Sequence, residues 1–280
     1  MKIINSAQQM RDWAHECREQ KFSIALVPTM GALHEGHLSL VRAAKEKAQK
    51  TIVSIFVNPK QFAPHEDFNL YPRNLQDDLA KLQNLAPDVV FIPEIAELYG
   101  NAFDTYVVPE HLQTLLCGKS RPIFFRGVCT VVMLLFRITL CHISLFGEKD
   151  YQQLQIIKRM ACDLWLDVEV IGMPTVRESD GLAMSSRNAY LNQAERSQAL
   201  WLFRTLLSLH QSCQAGIRDV TALHTQALQL LSKQPFIRLD YLEILEPSSF
   251  MPLQHLDRPA HAFMAAWIGK TRLIDNMALT

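Results

Sequence analysis

The stretch Ile24-Ala25-Leu26-Val27-Pro28-Thr29-Met30-Gly31-Ala32-Leu33-His34-Glu35-Gly36-His37-Leu38-Ser39-Leu40 decides how the chain is read. Ile24 to Val27 is an apolar run of the length of a buried strand, and Leu38 to Ala48 carries apolar residues at helical spacing. What lies between is a turn from a first strand into a first helix. In an open α/β sheet such a turn sits at the carboxyl end of its strand, where ligands bind. Gly31 and Gly36 let backbone pass close to a ligand, and the helix start offers unpaired N–H groups and a positive dipole end that suit phosphate. His34 and His37 stand three residues apart. On a helical turn both point to one side, where imidazoles can donate to phosphate oxygens as charge develops. The same pair also reads as surface residues or as half of a metal site, although no third ligand stands near it in sequence.

Outward from this turn, the 280 residues allow one large or two smaller domains. About half are apolar, enough for a sizeable core, and 28 basic residues balance 28 acidic ones. No bulk field therefore favours nucleic acid or an anionic membrane. The six cysteines are scattered with no C-x-x-C, which suits reduced thiols in a cytoplasmic setting. The opening Met1-Lys2-Ile3-Ile4-Asn5 lacks the long apolar run of a secretory signal. Val128 to Leu145 is the most apolar stretch, but Arg137 and His142 interrupt it, so it reads as buried helix and strand rather than a membrane span.

Along the chain, Ser6 to Gln20 reads as an amphipathic helix capped by Ser6. Thr51 to Val57 is a second parallel strand, completing a βαβ unit. Asn58-Pro59 ends it and Gln61 follows; such amides can grip hydroxyls or a carboxylate of a small substrate, or Asn58 simply turns the chain before Pro59. Pro64 to Arg73 reads as loop, Leu75 to Leu85 as helix, and Asp88 to Ile92 and Thr105 to Val108 as strands. A short helix is expected over His111 to Leu116, a mobile loop over Gly118 to Phe125, and a helix over Val128 to Ile138. The strand His142 to Phe146 ends at Gly147-Glu148-Lys149-Asp150, followed by a helix Tyr151 to Leu164 and a strand Asp167 to Ile171. A lysine at that strand end can reach phosphate and an aspartate can hold ribose or a metal ion, though the segment also suits any solvated turn. Beyond a boundary near Val176 come helices Ala194 to Gln214 and Val220 to Lys233, and strands Leu239 to Leu245, Ala262 to Ile268 and Arg272 to Ile274. The expectation is a Rossmann-like parallel sheet over residues 1–176 and a smaller α+β lid over 177–280, which excludes water from a reactive intermediate.

The pattern H-x-G-H after a first strand resembles the signature of the nucleotidyltransferase superfamily. The longer string VPTMGALHEGHLSLV resembles the pantoate–β-alanine ligase family (pantothenate synthetases). Ser54-Ile55-Phe56-Val57-Asn58-Pro59 with Gln61-Phe62, Phe146-Gly147-Glu148-Lys149-Asp150-Tyr151-Gln152-Gln153-Leu154, Pro174-Thr175-Val176-Arg177-Glu178, Asp180 to Asn188 and Thr271 to Asn276 fit it in the same order. The resemblance implies ATP contacts from Pro28, Met30, Gly31, Ala32, Leu33, His34, Glu35, Gly36 and His37. Gly147, Glu148, Lys149 and Asp150 would add to these, as would Val176, Met184, Ser185, Ser186 and Arg187. The Met184-Ser185-Ser186-Arg187 segment is similar to the superfamily's second signature, a loop closing over triphosphate; on residue types alone it is also a helix cap before Asn188. Pantoate and β-alanine would meet Asn58, Gln61 and Gln153. Catalysis would fall to His37, His34, Lys149, Ser185, Ser186 and Arg187, with ATP as substrate and Mg²⁺ to neutralise it.

The implied reaction is ATP-dependent ligation of pantoate to β-alanine through a pantoyl adenylate, a step of pantothenate biosynthesis, by a homodimer that binds neither nucleic acid nor membrane. His37 is the candidate proton donor; charge stabilisation without proton transfer fits equally. An adenylyltransferase that keeps the nucleotide on its product would use the same His turn, and a degenerate binding homologue would keep the fold without turnover. The sequence departs from the family between Arg121 and Leu145: Ile123 and Phe124 stand where Gly and His are usual, Met133 or Leu134 where a Lys falls, and Cys141-His142 where Pro-Asp is frequent. These changes bear on the loop, the substrate pocket and dimer contacts, not on the ATP motifs.

Overall fold

The computed structural model describes residues 1–64 and 66–280. In chain order the elements are β1 (Lys2–Ile4), α1 (Ala7–Glu19), β2 (Ile24–Thr29), α2 (Glu35–Lys47), β3 (Lys50–Ile55), α3 (Leu75–Leu85), β4 (Val89–Phe91), α4 (Ile95–Leu98), α5 (Cys117–Ser120), α6 (Phe124–Thr139), β5 (Ile143–Gly147), α7 (Tyr151–Asp163), β6 (Glu169–Met173), α8 (Gln193–Gln214), α9 (Val220–Leu231), β7 (Ile237–Leu245), β8 (His261–Ile268) and β9 (Thr271–Ala278). They form two compact units. One comprises Met1–Thr114, Gly118–Glu148 and Gln152–Pro174; the other comprises Leu115–Cys117, Lys149–Tyr151 and Thr175–Thr280.

The first unit is a six-stranded sheet in the order β1-β4-β3-β2-β5-β6, parallel throughout. From β2 the chain winds outward through β3 to β4, then returns across β2 to lay down β5 and β6. The strand order thus reverses between β2 and β5, the switch point at which open α/β sheets bind ligands. The register sharpens this. β2 pairs with β3 over its full length, Ile24↔Lys50 to Thr29↔Ile55, but with β5 only at Ala25↔Ile143 and Leu26↔Ser144. The carboxyl ends of β2 and β5 are therefore unpaired with each other. Ile24 to Val27, Ile52, Val53 and Val89 to Phe91 are all buried, as the near-continuous apolar runs of a two-sided parallel sheet require.

In the second unit, β7-β8-β9 make an antiparallel sheet. Leu202, Leu206, Leu209, Leu223 and Ala227 of α8 and α9 share one core with Leu242, Met264 and Ile268. Helix starts are chemically marked. Asn192 and Glu195 cap α8 reciprocally, and Asp219 accepts from the Ala222 amide at 2.6 Å to cap α9. Among the described residues no helix is long and apolar enough to cross a membrane.

Several expectations are corrected. Lys2–Ile4 is a strand that three residues could not announce by periodicity. Thr105 to Val108 is not a strand; Val107 spends its amide on the Thr130 hydroxyl at 3.1 Å. The segment from Gly118 to Phe125 is not wholly loop, because α5 reaches Ser120 and α6 begins at Phe124, four residues before the expected Val128. Ser6 precedes α1 without a side-chain cap bond. Over Pro64 to Arg73 a 3-10 turn forms at Asp67–Asn69; residue 65 lies outside the described residues.

Candidate active site

The turn after β2 is shaped by its own backbone. Gly31 has φ +81° and Ala32 follows at φ +50°. A Cβ on Gly31 would meet Asp78 Oδ2 at 3.0 Å as well as incurring the left-handed strain. Two successive residues of this hand turn the amides of Ala32 and Leu33 toward one point, and the carboxylate of Asp78 fills it, accepting at 2.9 and 2.6 Å. Asp78 is 1% exposed. Burial raises its pKa, opposed by these two amide bonds and by Lys81. Lys81 also donates to the Leu33 carbonyl at 2.7 Å. Thr29 closes the near side, its hydroxyl donating to Ser54 O at 2.8 Å and accepting from the Gly31 amide at 3.2 Å.

Helix α2 begins immediately beyond, with His34 as its N-cap residue. The rings of His34 and His37 lie 4.0 Å apart, so the spacing read from the sequence does bring the two imidazoles together. The His34 amide donates to His37 Nδ1 at 3.3 Å. With Nδ1 an acceptor, the proton of the neutral ring sits on Nε2, which becomes the donor.

The strand-end turn after β3 holds the second cluster. Asn58 (1% exposed) and Gln61 (7%) are buried. Asn58 Nδ2 donates to Gln61 Oε1 at 3.1 Å and to the Gly127 carbonyl at 3.0 Å, while Asn58 Oδ1 accepts from the Lys60 amide and the Tyr99 hydroxyl. Gln61 Nε2 in turn lies 3.0 Å from Met30 Sδ, so Met30 joins the His turn to the amide cluster. Gly127 is needed because a Cβ there would fall 2.3 Å from the Lys60 carbonyl oxygen. Tyr99, Gly127 and Asp78 escaped the sequence reading: each acts through a fold-dependent neighbour. The acidic pair Asp77-Asp78 in the first turn of α3 was the one available signal.

Arg121 clamps this region, donating to both Glu66 oxygens at 2.5 and 2.9 Å and stacking 3.7 Å over the Phe124 ring. Burial works to raise the Glu66 pKa, but the Arg121 hydrogen bonds and charge bring it below its ordinary value. Phe124, the departure from the family pattern, is thus a platform for a guanidinium. Arg126 stacks 4.4 Å over Tyr106, and its buried Nε has no partner among the described residues.

Gly147 ends β5 and Glu148 opens a 3-10 turn, both in the first unit; Lys149 and Asp150, which complete that turn, belong to the second, with their charges 3.9 Å apart. On α7, Gln152 is buried and donates to the Leu112 carbonyl at 2.8 Å, while Gln153 is half-buried. Also in the second unit, the Met184 amide donates to the Val176 carbonyl at 3.0 Å, and Ser185 Oγ accepts from the Arg187 amide at 3.2 Å to cap a 3-10 turn over Ser186–Tyr190. This hairpin is tied down by Arg177, which forks onto Asp275 at 2.7 and 2.9 Å, and by Arg196, which reaches Glu178 and Asp180. No cluster of three His, Cys, Asp or Glu able to hold a metal ion occurs among the described residues.

A parallel sheet whose switch point carries a left-handed amide turn, paired imidazoles at a helix start and a buried amide cluster defines a class: a nucleotide-binding α/β enzyme with a nucleotidyltransferase-like fold. The chain belongs to the pantoate–β-alanine ligase family, whose model matches residues 2–278, and it is a ligase. It is 47% identical over 279 residues to the pantothenate synthetase of Thermosipho africanus, covering all of both chains. A pantothenate synthetase crystal structure from Thermus thermophilus superposes with TM-score 0.95 at 41% identity, over 100% of this chain and 99% of that one. The pantoate–β-alanine ligase of Francisella tularensis, solved with β-γ ATP and β-alanine, gives TM-score 0.83 at 34% identity, over 100% and 98%.

Proposed function

We propose that this chain condenses pantoate with β-alanine at the expense of ATP, through a pantoyl adenylate. The observation that carries the reading is the continuity of the His34–His37 turn, through Met30, with the buried Asn58–Gln61 cluster. A phosphate-binding element and a small polar-substrate element thereby adjoin at one switch point. In the first step a pantoate carboxylate oxygen attacks the α-phosphorus, and the bond to the β-phosphate oxygen breaks to release pyrophosphate. In the second, the neutral amine of β-alanine attacks the acyl carbon, loses a proton, and AMP departs with the acyl–oxygen bond pair.

Neither step needs a protein nucleophile; both need stabilisation of charge on phosphoryl oxygens. The His37 Nε2–H, His34 and the N–H groups opening α2 suit the α- and β-phosphates. Lys149, Ser185, Ser186 and Arg187 suit the triphosphate, with Gly147, Glu148, Asp150, Val176 and Met184 lining the nucleotide. Gln61 and Gln153 suit the pantoate hydroxyls and carboxylate. The donors at the His turn are a phosphate set rather than a cation cage, which fits Mg²⁺ arriving with ATP. The half-exposed Asp150 is the carboxylate that would share it, and the ion would supply neutralisation of the triphosphate. We further infer a homodimer working in the cytoplasm, where the six free cysteines would stay reduced.

The test is formation of AMP and pyrophosphate from ATP and pantoate, with and without β-alanine. Pyrophosphate at one equivalent per site with pantoate alone, and AMP in step with pantothenate once β-alanine is added, is the expected result. Pyrophosphate without AMP in the complete mixture would point to an adenylyltransferase. No turnover despite ATP binding would point to a binding homologue.

A further inference from the structure

The amide of Gln61 can show a ligand either its oxygen or its NH2 group, and its neighbours decide which. The decision begins at two backbone groups of fixed polarity. The Lys60 amide can only donate, so the atom of Asn58 that it meets at 3.2 Å is Oδ1; the Gly127 carbonyl can only accept, so the atom 3.0 Å from it is Nδ2. Because Oδ1 cannot donate, the Tyr99 hydroxyl 2.8 Å away is the donor. Burial raises the Tyr99 pKa well above its ordinary 10, which keeps that donor in place across the working pH range. The second hydrogen of Nδ2 goes to Gln61 Oε1 at 3.1 Å. Both acceptor sites and both donor hydrogens of Asn58 are then spent inside the protein.

Gln61 has no remaining choice of orientation. Its oxygen is turned inward to Asn58, and its NH2 faces the other way, toward the thioether of Met30. A thioether is a weak acceptor, readily displaced by an oxygen. Tyr99 is itself immobilised: it is 6% exposed, with the Phe103 ring edge-on at 4.8 Å and Phe56 at 6.1 Å.

We propose that Tyr99 and Asn58 are positioning residues that lock Gln61 as a hydrogen-bond donor, so that this subsite selects an oxygen acceptor, a carboxylate or hydroxyl oxygen of the hydroxy acid. This rests on the reading that Gln61 meets pantoate, and it takes Asn58 out of direct substrate contact.

Four variants test it in steady-state kinetics with each substrate varied. Gln61→Ala raises KM for pantoate at least tenfold and leaves KM for ATP within about twofold. Tyr99→Phe raises KM for pantoate about fivefold, the worth of one buried hydrogen bond, again sparing ATP. In the Gln61→Ala background the Tyr99→Phe change has no further effect on KM for pantoate, because Tyr99 acts through Gln61. Asn58→Asp supplies an acceptor where Nδ2 stood, swings Gln61 round to show its oxygen, and costs about a hundredfold or more in pantoate kcat/KM. If the buried charge unfolds that variant, the Tyr99 and Gln61 pair decides alone.

Equal effects of Tyr99→Phe in both backgrounds overturn the proposal. So does a Tyr99→Phe protein that melts lower with parental KM values, since that marks a hydroxyl with a merely structural role. Parental KM for pantoate in Gln61→Ala removes the substrate reading itself, and the positioning role with it.

Discussion

Asp78 Oδ1 accepts the Leu33 amide at 2.6 Å while its second oxygen holds the amide of Ala32. A carboxylate at the start of α3 therefore dictates the backbone of the turn that presents the two histidines. Asp78→Asn can accept only one of the two amides and must set an NH2 against the other. The expected loss is about 1–3 kcal/mol of stability in urea denaturation, the range for a buried donor left without its acceptor. KM for ATP should rise with it, since the relaxed turn no longer presents its donors.

His37 offers Nε2–H because its Nδ1 is occupied by the His34 amide. His37→Ala should lower the rate of pyrophosphate formation about a hundredfold or more, the scale of removing one donor to a developing oxyanion, with unchanged far-UV circular dichroism. A variant that keeps the full rate would take the His turn out of catalysis.

The Arg177–Asp275 pair has only 2% of the Asp275 side chain exposed, and Arg177 also donates to Gly181 O and stacks 4.5 Å from the Phe203 ring. Removing the acid alone strands a guanidinium. Asp275→Asn should cost about 3 kcal/mol or more by chemical denaturation. Replacing both residues by apolar ones of similar volume should cost less than the two single changes together. The hairpin that Arg177 braces runs into Ser185-Ser186-Arg187, so the single variant should also weaken ATP saturation.

His142 Nδ1 accepts from the Ile24 amide at 3.0 Å. Burial, and secondarily Arg18, lowers its pKa below the ordinary 6.5. The unfolded chain then binds this proton more readily than the folded one. The contribution to stability is complete above about pH 6.5 and is lost as pH falls through the folded value. His261, lowered by burial against the opposing effects of Asn276 and Asp275, adds to the same slope. Urea midpoints at pH 7.5 and 5.5 should differ in the parent, and His142→Asn should remove part of that difference.

The departures between Arg121 and Leu145 show where reading the chain by local pattern stops. Phe124 looked like a lost polar group, yet it lies under Arg121, whose partner is Glu66, fifty-five positions earlier. The short β1 was invisible for a different reason. Three residues carry no period, and Ile4 is buried only because β4 lies alongside, pairing Ile4 with Phe91. Thr105 to Val108 had the composition of a strand, but with Val107 bonded to Thr130 the segment joins no sheet.

What the sequence determined by itself is whatever depends on near neighbours: the apolar runs of β2, β3 and β5, the strand–turn–helix around His34 and His37, the caps of α8 and α9, and the motif string that marks the family. These rest on periodicity, backbone hand and residues a few positions apart, all present in any short window. Only the tertiary structure decided that Asp78 holds the turn, that Gly127 lets α6 approach Lys60, and that Tyr99 and Asn58 turn Gln61 outward as a donor. Each of these joins residues between about forty and seventy positions apart. A buried hydrogen bond has a direction, and that direction exists only once both partners have been packed into place.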